Sequence, residues 1–324
     1  MTSFDTIIRA LGGPDTFRAA LGERHLVGVT PVDPSTLISW SDLDDLITTR
    51  RLVPPHLKVV NDGRSFPASA YLDQTSSPRR RQQPVVDAAK LQALLSKGAT
   101  LVINDLQEIA PRVTEAARAL SELTHERVQA NSYATWGKTR GFDPHWDDHD
   151  VLIVQVEGQK HWDIFGPGTQ APLDHQVDAD NERPSLPVWH GNLFPGQVVY
   201  LPRGWWHAVR GSGDHSLHLT FGFQRRTGLD YFRSLIGHLE HEPAFREDLP
   251  AFGTPREKEA HKQRMLGALS AVLANHDSQS FLDDFRQLLQ PTRPLDLGAI
   301  APSREKAPEE GVVDEHPIPA PAAV

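Results

Sequence analysis

The stretch GFDPHWDDHDVLIVQVEGQKHW, residues 141–162, sets three histidines and four aspartates around one apolar run. In extended backbone, side chains alternate between faces, so His145, Asp147 and His149 share one face while Trp146 and Asp148 take the other. A histidine and a carboxylate two residues apart at a strand rim can converge on one metal ion. A third donor then has to come from elsewhere in the chain. His207, in LPRGWWHAV (201–209), is the best candidate, because it follows a β-rich run and a tight turn and opens another β-rich run. Two neutral imidazoles and one hard carboxylate on one side of an ion leave three positions open. With no thiolate in the set, this pattern suits non-haem Fe(II) that binds a co-substrate and O2 together. A bare H-x-D also occurs as solvated polar residues on a turn. Here it precedes the apolar run DVLIVQVEG, followed by a glycine turn, a basic residue and a tryptophan.

The elements that must position these residues are short and β-rich from residue 127 onward. RVQANSYATW, DVLIVQVEG, KHWDIFG, GQVVYLP, WHAVRG and HSLHLTFGF are separated by Gly and Pro, which predicts a sandwich or closed barrel rather than βαβ units. Before them, residues 1–60 mix short helical signals with loops. The segment 39–51 carries a helical pattern with Ser41 and Asp44 spaced as a capping box. Residues 85–99 predict a helix ending at Gly98, residues 100–106 a strand, and Pro111 opens a further helix. Three arginines at 79–81 sit in a polar turn. Beyond residue 226 the pattern is helical again. Residues 291–324, rich in Pro, Ala and charge, predict a disordered tail.

Composition narrows the function. The chain has 324 residues, a formal net charge of −9 and no cysteine. Disulfides, iron–sulfur ligation and a thiol nucleophile are excluded, and a cytoplasmic location is expected. No apolar run approaches the ~18 residues of a membrane span, and the N-terminus lacks the pattern of a secretory signal. The acidic balance disfavours a bulk grip on nucleic acid.

The segments ANSYATWGKTRGFDPHWD, HWDDHDVLIVQVEGQKHW, LPRGWWHAV and HSLHLTFGF resemble the core of the Jumonji-C oxygenases, and within these the cupin-like ribosomal oxygenases that hydroxylate protein side chains. The resemblance covers roughly residues 20–225. It implies a mainly β protein with flanking helices, built on a double-stranded β-helix (jelly-roll, cupin-type) core. The implied division is a catalytic domain over 1–225, a helical region over 226–290 whose apolar stripes suit either a homodimer contact or packing back onto the core, and the tail. The implied metal ligands are His145, Asp147 and His207, holding Fe(II) with 2-oxoglutarate as co-substrate.

Lys160 stands at the position of the family's basic residue for the distal carboxylate of 2-oxoglutarate. An ammonium facing inward on a strand is costly without an anion, which the co-substrate supplies. Tyr133 and Asn131 match family positions near the co-substrate, with packing as the other reading of each. His218 and Thr220 alternate inward on the last core strand, as pocket lining or as core. His149 is placed beside the ligands or in solvent, and Trp205 and Trp206 at the barrel mouth. The acidic segment 172–191 reads as an entrance loop or simply a solvated one.

The implied activity is hydroxylation, with O2, of an Arg or His side chain in a basic protein or peptide. Two alternatives stand beside it: the same chemistry on a small molecule or biosynthetic peptide, and a non-catalytic metal-binding cupin. The related oxygenases carry a winged-helix domain after their dimerisation helices. Residues 226–290 supply helices only, which puts ribosomal-protein specificity in question.

Overall fold

The computed structural model describes residues 3–73, 84–169, 171–173, 176 and 183–289. The expected tail, the arginines at 79–81 and part of the acidic 172–191 segment lie outside the described residues. Met1–Leu289 groups as one compact unit. The N-terminal part contains α1 (Ser3–Ala10), α2 (Pro14–Ala20), β1 (Leu26–Val29), α3 (Trp40–Thr49), β2 (Leu57–Asn61), β3 (Arg64–Ser65), β4 (Leu72–Asp73), β5 (Val85–Val86) and α4 (Ala88–Leu95). The core follows with β6 (Thr100–Ile103), α5 (Pro111–Thr124), β7 (Val128–Trp136), β8 (Asp150–Pro167), β9 (Trp189–Leu193), β10 (Gln197–Leu201) and β11 (Trp205–Phe223). Helices α6 (Gly228–Leu239), α7 (Pro243–Arg246), α8 (Pro255–Asn275) and α9 (Ser278–Leu288) close the described chain. Among the described residues, no helix is long and apolar enough to cross a membrane.

The main sheet is antiparallel, in the order β1-β10-β8-β11-β7-β6-β2-β3, with β9 added to β8. It is the expected mainly β core with flanking helices. Two strands dominate it, and both differ from the runs expected from sequence. DVLIVQVEG and KHWDIFG are one 18-residue strand, β8. WHAVRG and HSLHLTFGF are one 19-residue strand, β11. Gly158 therefore does not end a strand; it sits in a bulge at φ +60°. A Cβ there would lie 2.0 Å from the His215 carbonyl oxygen, so glycine is required. The fully buried Gln155 holds the irregularity, its amide donating to the carbonyls of Glu157 (2.8 Å) and Leu217 (3.3 Å).

This bulge decides which side chains reach the site. Before it, Val151 and Ile153 pack with Trp162 and Ile164, while Leu152, Val154 and Val156 enter the larger core. After it the parity is inverted, so Lys160 and Trp162 share a face with Val151 and Ile153. Register shifts in β11 between Gly211 and Ser216 and between Leu217 and His218 do the same for the facing strand. His207 and Val209 then share a cavity with His218 and Thr220. The opposite face of β11, with Leu217, Leu219, Phe221 and Phe223, is buried in the larger core, where each such side chain contributes about 1.5–3 kcal/mol.

Local rules account for the supporting helices. In α5, Pro111 takes the first turn, and Val113, Ala116, Ala117 and Leu120 form the buried stripe of an amphipathic helix. The α3 capping box is Ser39 with Asp42, two residues before the expected Ser41 and Asp44. The earlier start lets Trp40 pack on Trp136, ring centroids 5.4 Å apart, and donate to Glu157 Oε2 at 2.7 Å. Helix α4 begins at Ala88 behind the cap residue Asp87, because Val85 and Val86 pair instead with β4. Strand β6 ends at Ile103 rather than 106, where Asp105 adopts a left-handed conformation (φ +58°).

Candidate active site

Every residue expected at the site lines one cavity of about 230 Å³: Asn131, Tyr133, His145, Asp147, Lys160, His207, His218 and Thr220, with His149 added. Residues 141–149 are not a strand. A single antiparallel bridge pins His145 to His207, the His145 N–H donating to the His207 carbonyl at 3.1 Å and the reverse bond spanning 2.8 Å. The Asp147 carbonyl accepts from Gly204 N–H at 2.9 Å. The loop before β8 is thus fastened to the turn before β11, which brings the distant histidine beside the H-x-D pair.

The imidazole rings of His145 and His207 lie 4.4 Å apart between centroids. His145 Nδ1 faces the Asp143 carbonyl at 2.7 Å, and His207 Nδ1 faces the Trp205 carbonyl at 3.1 Å. A carbonyl only accepts, so each Nδ1 carries the proton and each Nε2 presents a lone pair. Those lone pairs face a carboxylate: His145 Nε2 is 3.9 Å from Asp147 Oδ1, and His207 Nε2 is 3.8 Å from Asp147 Oδ2. All three donors lie within 4.8 Å of one another. With both rings neutral three lone pairs converge, and a divalent cation with bonds of about 2.1 Å would fit between them. The set is nitrogen and oxygen with open positions toward the cavity, as non-haem Fe(II) requires.

Electrostatics agree with that geometry. Burial, reinforced by neighbouring His145, lowers the His207 pKa to about 4, so it is neutral and able to ligate. Burial alone would raise the Asp147 carboxyl, but His207, His145 and His149 outweigh it and hold it below the ordinary carboxylate range. His149 is opposed by burial yet raised overall by its 2.8 Å contact with Asp148 and by Asp147.

Lys160 is 3% exposed and, among the described residues, makes no ion pair. Its ammonium donates to the Tyr133 carbonyl at 3.2 Å and to His218 Nδ1 at 3.0 Å. Burial lowers its pKa to about 7. Burial, then Lys160 and His207, push His218 well below its usual value. A buried amine beside neutral partners would be stabilised by an anion bound in the same cavity. Tyr133 stacks on His218 at 4.9 Å, and burial pushes its hydroxyl up to about 12, so it stays a donor. Asn131 Oδ1 accepts from Asp105 N–H at 3.1 Å, which orients its amide beside Tyr133.

Sequence reasoning missed three contributors. Trp162 stacks on His207 (5.8 Å, 23°) and meets His218 edge-on, joining the two histidines. Its signal was the alternation two residues from Lys160, which the bulge obscured. Phe142 lies between Tyr133 and His145, at 6.1 and 5.9 Å, at the open side. Asp150, 1% exposed, accepts from Tyr200 Oη (2.7 Å), Arg203 N–H (3.2 Å) and Arg225 Nε (2.8 Å). It anchors the start of β8 directly after the H-x-D pair. Of the two tryptophans expected at the mouth, Trp205 is buried with Val151 and Ile153 and tilts against His25, so it is core. Trp206 lies against Gly168. The end of the expected 172–191 loop is strand, since β9 begins at Trp189.

Fold and site together define an antiparallel β protein of cupin type, flanked by helices, with a two-histidine, one-carboxylate cluster beside a buried lysine. The chain is a JmjC-domain protein: residues 106–231 match the family model described as the JmjC domain. It is 30% identical over 253 residues to "Ribosomal oxygenase 1" of Rattus norvegicus, a match covering 73% of this chain and 40% of that protein. It is 27% identical over 235 residues to "Bifunctional lysine-specific demethylase and histidyl-hydroxylase NO66" of Culex quinquefasciatus, covering 69% of this chain and 34% of that protein. The chain thus spans 40% or less of these relatives' length. The solved structure of E. coli ycfD shares the fold, with a TM-score of 0.51 at 16% identity, over 86% of this chain and 72% of that one.

Proposed function

We propose that this protein is an Fe(II)- and 2-oxoglutarate-dependent dioxygenase that hydroxylates a side chain of a protein substrate. The observation that carries the proposal is that three converging donors and a buried lysine line one cavity. His145, Asp147 and His207 would hold the iron. Lys160 and the Tyr133 hydroxyl would take the distal carboxylate of 2-oxoglutarate, with Asn131 holding Tyr133 in place. His218 and Thr220 would border the co-substrate. When bound, iron and 2-oxoglutarate supply the oxidising chemistry.

The chain's own residues orient and exclude. The backbone bridge between His145 and His207 fixes the donor spacing before any ion arrives. Trp162 and the Val151–Ile153 face keep water from the inner wall. No side chain has to act as a nucleophile.

The relatives named as a ribosomal oxygenase and a histidyl-hydroxylase support a protein substrate with His as the modified residue, and the family resemblance adds Arg. The net charge of −9 favours a basic one. Leu229, Phe232 and Ile236 form an exposed apolar stripe on α6, which supports a homodimer contact within 226–290. Sedimentation of Phe232→Asp against wild type tests it. The cysteine-free composition supports a cytoplasmic location.

The substrate test is mass spectrometry of ribosomal and other basic proteins from deletion and wild-type cells. An enzyme-dependent gain of one oxygen on a protein supports the proposal. Succinate production with no modified protein would move the substrate to a small molecule, and no succinate at all would leave a non-catalytic cupin.

A further inference from the structure

A second group of potential metal donors lies on the opposite face of β8 and takes no part in the cavity. His161 and Asp163 alternate with the cavity residues Lys160 and Trp162, and His190 on β9 stands directly across from Asp163. One donor atom from each lies within 4.8 Å of the others. The motif repeats the type and spacing of the first cluster: histidine, carboxylate two residues on, and a histidine from another strand.

Hydrogen-bond direction shows what is missing there. The Ser212 carbonyl can only accept, so the Gln159 amide turns Nε2 toward it at 3.5 Å. Gln159 Oε1 then accepts from Asn192 Nδ2 at 3.3 Å, which leaves Asn192 Oδ1 facing His161 Nδ1 at 2.9 Å. His161 Nδ1 therefore carries the proton. In the neutral ring Nε2 is bare, yet it points at Asp163 Oδ1 from 3.2 Å. Two lone pairs cannot rest at that distance unless a proton or a cation lies between them.

Arg210 holds the other oxygen, Asp163 Oδ2, at 3.1 Å, which leaves Oδ1 as a single donor of fixed direction. An outer partner on each donor, Asn192 on the imidazole and Arg210 on the carboxylate, is how proteins orient metal ligands. His190 is exposed and stands on the third side, its ring 6.5 Å from that of His161.

We propose that His161 Nε2, Asp163 Oδ1 and His190 form a second site for a divalent transition cation, separate from the cavity. Two imidazoles and one carboxylate select a borderline ion such as Zn(II) or Co(II) over Mg(II) or Ca(II). The ion would clip β9, which among the described residues pairs with β8 alone, to the strand that carries Lys160 on its other face. The site stands whether or not the cavity holds iron.

Co(II) titration of the chelator-treated full-length protein tests it, read by visible absorbance and by metal content after gel filtration. Wild type should bind two equivalents and His190→Ala one; His190 is exposed, so this variant keeps the fold. His145→Ala/His207→Ala should retain one equivalent, and adding His190→Ala should remove it. In that double-variant background Asn192→Leu should weaken the remaining site about 10–100-fold. A His145→Ala/His207→Ala variant that binds no ion would mean that a protonated His161 alone fills the gap, and a His190→Ala variant that still binds two would mean that the second ion lies elsewhere; either result overturns the proposal.

Discussion

The Lys160 ammonium and His218 Nδ1 face each other at 3.0 Å in the cavity, and among the described residues neither makes an ion pair with a carboxylate. The amine donates and the neutral imidazole accepts. The pair leaves a positive charge buried and uncompensated, which is unfavourable for stability and favourable for capturing an anion.

The first consequence is a pH-dependent stability. Burial lowers the Lys160 pKa in the folded protein to about 7, from the 10.5 of a free lysine. Below about pH 7 both folded and unfolded states are protonated, and the full cost of burying the charge is present. Between about 7 and 10.5 the unfolded state binds more protons, so this group's contribution to stability rises with pH. Each pKa unit corresponds to about 1.4 kcal/mol. Lys160→Met should therefore be more stable than wild type by a few kcal/mol near pH 6, and the gap should shrink as pH rises. Urea denaturation at both ends of the range measures it; a constant gap contradicts the buried-amine account.

The same residue should govern co-substrate affinity. Lys160→Ala should raise the KM for 2-oxoglutarate by at least about 10-fold, corresponding to loss of roughly 1.5–3 kcal/mol from a charge-assisted bond. Thermal shift offers a second readout: 2-oxoglutarate should raise the Tm of wild type and leave that of Lys160→Ala unmoved.

Gly158 tests the bulge that turns Lys160 inward. At φ +60°, an alanine costs about 1–2 kcal/mol from backbone conformation alone, and its Cβ would meet the His215 carbonyl oxygen at 2.0 Å. Gly158→Ala should destabilise the protein by at least about 2 kcal/mol in urea and weaken 2-oxoglutarate binding along with it. Unchanged stability would mean that the strand passes this point without the bulge.

Asp150 tests the anchor beneath the site. Removing it leaves the partly buried Arg225 without its carboxylate and takes away the acceptor of the Tyr200 O–H, which then keeps only the bond it accepts from Gly22 N–H. Asp150→Ala should cost about 3–5 kcal/mol, and Asp150→Asn less, since its oxygen can still accept. Chemical denaturation of both variants gives the comparison.

Part of the candidate site was legible from residue types and spacing, His145 with Asp147 and the distant His207, and part only from the family resemblance, which supplied Lys160, Tyr133 and Asn131. The structure places these six, with His218 and Thr220, around one cavity. The long strands were not legible. Gly158 and the 211–216 region carry turn signals, and only the pairing of β8 with β11 shows that they bend a strand rather than end it. Strands β1 and β2 were missed for a related reason: they are short, and their place is set by partners far along the chain, β10 and β6. The α3 cap was misplaced by two residues because SWSDLDD offers two Ser-x-x-Asp spacings, and the packing of Trp40 on Trp136 chooses between them. The cluster at His161, Asp163 and His190 was invisible in sequence, since it depends on the register of β9 against β8.

The central claim is that His145, Asp147 and His207 hold iron for 2-oxoglutarate turnover. Its most direct test is succinate formation by protein reconstituted with Fe(II), given 2-oxoglutarate and O2, in wild type and in His207→Ala at matched folded concentration. The account predicts O2-dependent succinate from wild type and a loss of at least about 100-fold in the variant, together with its iron, because a direct ligand matters more than the outer partners that cost about 10–100-fold. Equal succinate from both proteins, or none from an iron-loaded wild type, would contradict it.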